Sequence, residues 1–127
     1  MDWQDAMPFG ALLGIEAVGA SPEEVRLRLA WREDLCTAAG LMHGGALMAL
    51  ADSAGGICAF LNLPDGAKGT ATIQSSTSFL RPVRDGHVEA ISRPLSVGRN
   101  VIAVDTEVVD ADGRAVARVV QSQAVLR

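Results

Sequence analysis

The chain has 127 residues, enough for one domain that buries about two thirds of its unfolded surface, and 49% of them are hydrophobic against 20% charged. A net charge of -4, with two Trp, three Phe and no Tyr, gives no electrostatic reason to expect nucleic acid and no aromatic platform on which bases could stack. Cys36 and Cys58 are too few for a disulfide scaffold, and neither pairs with a histidine at a zinc-binding spacing, so reduced thiols and no metal are expected.

The opening segment, MDWQDAMPFGALLG, is acidic rather than basic and does not resemble a secretory signal, so a cytoplasmic protein is expected. Residues 2–13 carry mixed helical periodicity and stop at Gly14, which predicts a short peripheral helix with a glycine stop. Strands are expected at about 14–19 and 24–32; in the second, Val25-Arg26-Leu27-Arg28-Leu29-Ala30-Trp31 alternates apolar and mostly charged residues, as a half-buried strand does. The run from Ala46 to Leu61 is rich in Ala, Leu and Met and predicts one long helix over about 43–62. It is apolar enough to raise the question of a membrane span, but four glycines, Asp52 and Asn62 would then have to be hidden from lipid. A core helix, with no membrane partner, is the expectation.

From Gly69 onward the chain becomes β-branched and partly alternating, which predicts four strands at about 69–81, 86–97, 99–111 and 114–126. Asp85-Gly86, Val97-Gly98-Arg99-Asn100 and Asp112-Gly113 sit between them as reversals, so consecutive antiparallel hairpins are expected. The plan is α+β, a single domain over 1–127 in which an antiparallel β-sheet wraps one long central α-helix.

Asp52 is the anomaly of that helix, a carboxylate among small apolar neighbours. Gly44 and Gly45 open the helix, where unpaired N–H groups carry partial positive charge and the lack of a β-carbon permits close approach of an oxyanion or a phosphate. Gly55 and Gly56 share the helical face of Asp52, which leaves room either for a neighbouring element or for an acyl group. Gly44 and Asp52 are separated by eight residues, about 12 Å along one helix axis, too far to act on one carbonyl. Two antiparallel helices across a two-fold axis would bring Gly44 of one copy to Asp52 of the other.

The segment Gly40-Leu41-Met42-His43-Gly44-Gly45 leading to Asp52, then Ser78-Phe79-Leu80-Arg81-Pro82, then Val97-Gly98-Arg99, resembles the hotdog-fold acyl-CoA thioesterases of the phenylacetate-degradation and hydroxybenzoyl-CoA group. The resemblance covers nearly the whole chain and implies the hotdog fold, hydrolysis of a small, medium-chain or aromatic acyl-CoA, and a homodimer assembled into a homotetramer. It implies Asp52 as nucleophile or general base and the Gly44 amide as the partner's oxyanion donor. His43 would orient the loop or ligand, and Thr72 would position water. Arg81, with Gly98 and Arg99, would contact coenzyme A, which is part of the substrate; no separate cofactor is implied. Many relatives carry Asn or Gln six residues before the histidine, whereas this chain has Thr37, which can donate and accept one hydrogen bond but does not reach as far as an amide.

Thioester cleavage suits so sparse a set of groups, because a thiol with a pKa of about 8.5 leaves without a strong general acid. The chain has no GxSxG, HExxH, GxxxxGK or GxGxxG, and only His43 and His87 as imidazole bases. A non-catalytic acyl-CoA-binding module of the same fold remains the alternative, although Asp52 argues against it. A hotdog hydratase or dehydratase is less consistent with the sequence, which has no segment like the FPGHP-type motif of those enzymes.

Overall fold

The computed structural model describes residues 3–127. The expected N-terminal helix, whose first residue lies outside the described residues, is two short helices, α1 (Trp3–Ala6) and α2 (Pro8–Leu13). They break at Met7, which is held at ψ 78° because the residue before a proline is driven out of the helical region. Gly14 closes α2 at φ 82°, its N–H donating to the Ala11 carbonyl at 3.1 Å.

Six strands follow around one helix. β1 (Glu16–Ala20) and β2 (Val25–Ala30) form a hairpin, α3 (Gly44–Leu61) is the long apolar helix, and β3 (Gly69–Phe79), β4 (His87–Val97), β5 (Val101–Asp110) and β6 (Ala115–Leu126) complete one antiparallel sheet in the order β1-β2-β4-β5-β6-β3. The reversals after β4 and β5 are hairpins. The expected hairpin between β3 and β4 does not form. β3 pairs with β6 from Gly69–Leu126 to Phe79–Ala117, and β4 pairs with β2. The connection crosses the mouth of the sheet because its backbone is tied down along the way. Leu80 and Arg81 donate to the Val116 carbonyl, Met42 donates to Val83, and Trp31 donates to Gly86. The Asp85-Gly86 turn therefore delivers the chain to β2 instead of folding it back on β3.

The sheet curls around α3, which packs against β2, β3, β4, β5 and β6. Leu50, Ala51, Ala54, Cys58 and Ala59 of the helix and Val25, Leu29, Val88, Ile102, Val104 and Val108 of the strands are fully buried. Small helix residues allow close approach of the strands, and alternation on β2, β4 and β5 sends one side of each strand inward. By length and mean hydropathy (1.5) α3 could cross a membrane, but one side of it, with Leu47, Leu50, Ala54 and Cys58, packs into the concave face of this sheet, while Met48 and Phe60 face outward. On the convex face, Glu24, Arg26, Arg28, Glu89 and Arg93 form a ladder of ion pairs at 2.6–3.1 Å across β2 and β4. β3 is an edge strand exposed along most of its length.

Candidate active site

Two separate clusters of polar groups sit along α3, one at its middle and one at its start. The first surrounds Asp52, which faces outward from the third turn. Its Oδ1 accepts the Thr72 hydroxyl from β3 at 3.0 Å. Thr72 Oγ1 in turn accepts the side-chain amide of Gln123 from β6 at 2.6 Å. Gln123 Nε2 also donates to Gln121 Oε1, and Gln121 Nε2 reaches the Ala51 carbonyl at 3.4 Å. Both glutamines are 1% exposed, so a buried amide pair backs an exposed carboxylate. Asp52, Gly56, Thr72 and Gln123 line a cleft of about 390 Å³ roofed by Trp3, Met7 and Phe60. Trp3 and Phe60 meet edge to face, with ring centroids 6.0 Å apart.

The two helix glycines divide their roles. A β-carbon at Gly55 would stand 2.6 Å from Gln121 Cδ, whereas one at Gly56 would meet nothing within 4 Å. The space at Gly55 thus belongs to a neighbouring strand's side chain, and only Gly56 opens onto the cleft.

The second cluster lies at the start of α3. His43 is the N-cap, and its Nδ1 accepts the Gly45 N–H at 2.7 Å. Ala46 and Leu47 donate to the His43 carbonyl. Among the described residues this leaves the Gly44 N–H, alone of the first four helix amides, without an acceptor. His43 is exposed, and the bond it makes is a helix cap that fixes the loop. Gly44, Thr37, Phe79 and Arg81 line a second cleft of about 380 Å³. The Phe79 ring lies close by, so that a β-carbon at Gly44 would stand 3.0 Å from it and the exposed ring would have to give way slightly. Thr37 is exposed, and its backbone N–H donates to the Leu41 carbonyl at 2.8 Å.

The remaining predicted positions fall apart along the sheet. Arg81 belongs to the Gly44 end, beside Arg84 and Arg114. Gly98 and Arg99 form the β4–β5 turn at the other end, near the start of β3 and the Asp52 cleft. Gly98 is needed there, because a β-carbon would lie 2.8 Å from the Val101 carbonyl oxygen. A single chain thus joins Asp52 with Thr72, and Gly44 with Thr37 and Arg81, but not the two sets with each other. Gln121 and Gln123 escaped the sequence reading. The signal was their parity on β6, which puts two amides on the inward side shared with Val119.

A curled six-stranded antiparallel sheet around one long helix is the hotdog architecture. The chain belongs to the Thioesterase superfamily, whose family profile matches residues 39–117. Among solved structures it is similar to the phenylacetic acid degradation protein PaaI of Thermus thermophilus, with 28% identity and a TM-score of 0.85 over 94% of this chain and 99% of that one. A thioesterase of Pseudomonas aeruginosa carrying a glutamine-to-alanine substitution is 25% identical, with a TM-score of 0.91 over 98% of this chain and 91% of its own. A Halobacterium salinarum protein provisionally named an esterase is 36% identical over 103 residues, covering 78% of this chain and 68% of its own length. A Thermoplasma volcanium protein with the same provisional name is 33% identical over 89 residues, 70% of this chain and 65% of that protein.

Proposed function

We propose that the protein is an acyl-CoA thioesterase that works as a dimer, each site combining Asp52 of one chain with the Gly44 amide of the partner subunit. The observation that carries this reading is the division of one helix into two incomplete half-sites. A carbonyl must lie about 3 Å from both its oxyanion donor and the group that attacks it or activates water. Eight residues of helix hold Asp52 and Gly44 about 12 Å apart within a chain. Antiparallel pairing of two α3 helices removes that distance and makes two equivalent sites. The exposed edge strand β3, with Ile73 61% exposed, and the outward-facing Met48 supply surface for such a pairing.

In the proposed reaction the thioester carbonyl oxygen accepts the unpaired Gly44 N–H. Asp52, held at Oδ1 by Thr72, uses its other oxygen. As a base it takes a proton from water, whose oxygen adds to the carbonyl carbon; as a nucleophile it adds directly and water then cleaves the anhydride. Either way the C–S bond breaks, the coenzyme leaves as thiolate and is protonated, and a carboxylic acid is released. Arg81 of the partner subunit and Arg99 would then flank one site rim, suited to the coenzyme's phosphates. The acyl group would enter the adjoining cavity of about 270 Å³ under α1 and α2, lined by Trp3, Met7, Ile15, Leu27 and Ile57. Its lining is mostly apolar, with Glu16 and Ser53 as the polar members, which favours a medium-chain or aromatic acyl group over acetyl.

The test is thiol release from short, medium-chain and aromatic acyl-CoAs, followed by subunit mixing. Asp52→Asn and Gly44→Pro, which deletes the N–H, are each expected to lose activity. In a mixed dimer of the two, one site keeps both Asp52 and Gly44, so an equal mixture recovers about one quarter of wild-type activity. A mixture as inactive as its components, despite exchange of subunits, refutes the shared site. Tight binding without turnover by the wild-type protein would instead identify a binding module.

A further inference from the structure

We infer that Gln123, backed by Gln121, is a positioning residue that forces the Thr72 hydroxyl to donate to Asp52. The inference rests on the proposed role of Asp52 and extends it to two buried residues that make no hydrogen bond to the carboxylate, Gln123 at the back wall of the cleft and Gln121 behind it.

The direction of every hydrogen bond in the relay follows from one fixed end. The Ala51 carbonyl can only accept, so the nitrogen of Gln121 faces it and the oxygen of Gln121 faces Gln123. That oxygen can only accept as well, so Gln123 presents its nitrogen. The second hydrogen on Gln123 Nε2 then points at Thr72 Oγ1, 2.6 Å away. Thr72 accepts there, and its own hydrogen is left for Asp52 Oδ1 at 3.0 Å. Without Gln123 the hydroxyl is a free rotor that could equally accept from water in the cleft. With it, the hydroxyl acts as a fixed donor, Oδ1 is occupied, and Oδ2 remains the reactive oxygen.

The surroundings are built around this relay. Strand alternation on β6 offers positions 121 and 123 to the core, where apolar side chains would pack at no polar cost, yet both hold amides at 1% exposure. Gly55 gives up its β-carbon to the space that the Gln121 amide fills. Among the described residues lining the cleft from α1, α3, β3 and β6, Asp52 is the one ionisable group, so the relay has a single carboxylate to orient.

The experiment uses Gln123→Met, Thr72→Val, their combination, and Gln121→Met with Gln123→Met, each assayed as an intact dimer well below its melting temperature. Gln123→Met and Thr72→Val are each expected to lower kcat about 10- to 100-fold with KM nearly unchanged. The combination should be no slower than Thr72→Val alone, because Gln123 acts through that hydroxyl. The paired methionine variant, which leaves no half-satisfied amide, should keep its fold and match Gln123→Met in kcat. The ¹³C resonance of the Asp52 carboxyl should move in the same direction in Gln123→Met and Thr72→Val. Losses that multiply in the combination, or a paired variant with wild-type kcat, overturn the inference while a dead Asp52→Asn leaves the thioesterase reading standing. If the wild-type protein turns nothing over, the thioesterase reading fails on its own, and an unmoved Asp52 carboxyl signal in Gln123→Met overturns the relay independently.

Discussion

Gly55→Ala places a methyl group where the structure has put an amide. A β-carbon there would lie 2.6 Å from Gln121 Cδ and 3.1 Å from its Oε1, so the buried amide has to shift from its place. On propensity alone the substitution stabilises a helix interior by about 1 kcal/mol. Against that, Gln121 loses its bonds to Ala51 and Gln123 inside the core, where each stranded polar group costs about 1–3 kcal/mol. The net expectation is a destabilisation of about 2 kcal/mol. With an unfolding entropy of about 2.1 cal/mol/K per residue, that lowers Tm by about 7 °C in a chain of 127 residues. Gly56→Ala is the matched control, since nothing stands within 4 Å of its β-carbon. It should be neutral or stabilising, by up to about 1 kcal/mol. Calorimetry or urea unfolding of the three proteins under identical conditions measures the difference. If Gly55→Ala is as stable as Gly56→Ala, Gln121 does not hold the position described and the packing argument fails with it.

Burial pushes the Cys58 thiol up to about 11, so at pH 8 it should resist a thiol reagent until the protein unfolds; rapid labelling of Cys58 in the native state would contradict its packing. Glu89 is mostly covered, which by itself would raise its pKa, but hydrogen bonds from Arg26 and Arg28 outweigh this and hold it below the ordinary carboxylate value. A depressed carboxylate contributes stability that is complete above its unfolded pKa and lost as pH falls through the folded one. The stability gap between wild type and Glu89→Gln, followed by urea unfolding, should therefore be constant near neutrality and close below about pH 4. Ala39 is held at φ 63°, a left-handed conformation that costs a residue with a β-carbon about 1 kcal/mol, so Ala39→Gly should raise Tm, and a fall would show that the loop gains from the methyl group. Enlarging Ile57 to Trp should fill the cavity beneath α1 and α2 and shift turnover toward shorter acyl-CoAs; an unchanged chain-length profile would put the acyl group elsewhere.

The sheet-around-helix plan was legible because its signals are local. The run from Ala46 to Leu61 has one period and the segments after Gly69 have another, while glycine turns mark the hairpins after β4 and β5. The partner of β3 was not legible. Asp85-Gly86 has the composition of a hairpin turn, but the pairing is decided by bonds from Met42, Leu80 and Trp31, contacts between segments distant in sequence. Asp52, Gly44 and the 12 Å that separates them could be read from helix geometry alone. Gln121 and Gln123 could be placed on the inner side of β6 by alternation. Nothing along the chain shows that they lie under Ala51 and Thr72, because that depends on β3 docking beside β6.

The same topology explains why the polar relay is possible at all. If β3 had paired with β4, Thr72 would stand over a strand whose inward residues are Val88, Ala90 and Ser92, and no amide could reach it. By crossing to the far edge, β3 brings Thr72 opposite Gln123 and within reach of the third turn of α3. The crossover that carries it spans Phe79 to Gly86, and this is also the segment that sets Phe79 and Arg81 beside Gly44. One choice of strand order therefore sets Thr72 beside Asp52 at the middle of the helix and builds the walls around the free Gly44 amide at its start. A change that loosened the crossover, such as Pro82→Gly with its added backbone freedom, should weaken the Gly44 end while leaving the Thr72–Asp52 hydrogen bond intact. In the mixing experiment, such a subunit should then behave as a partial Gly44 variant, rescued by Asp52→Asn partners and not by Gly44→Pro ones.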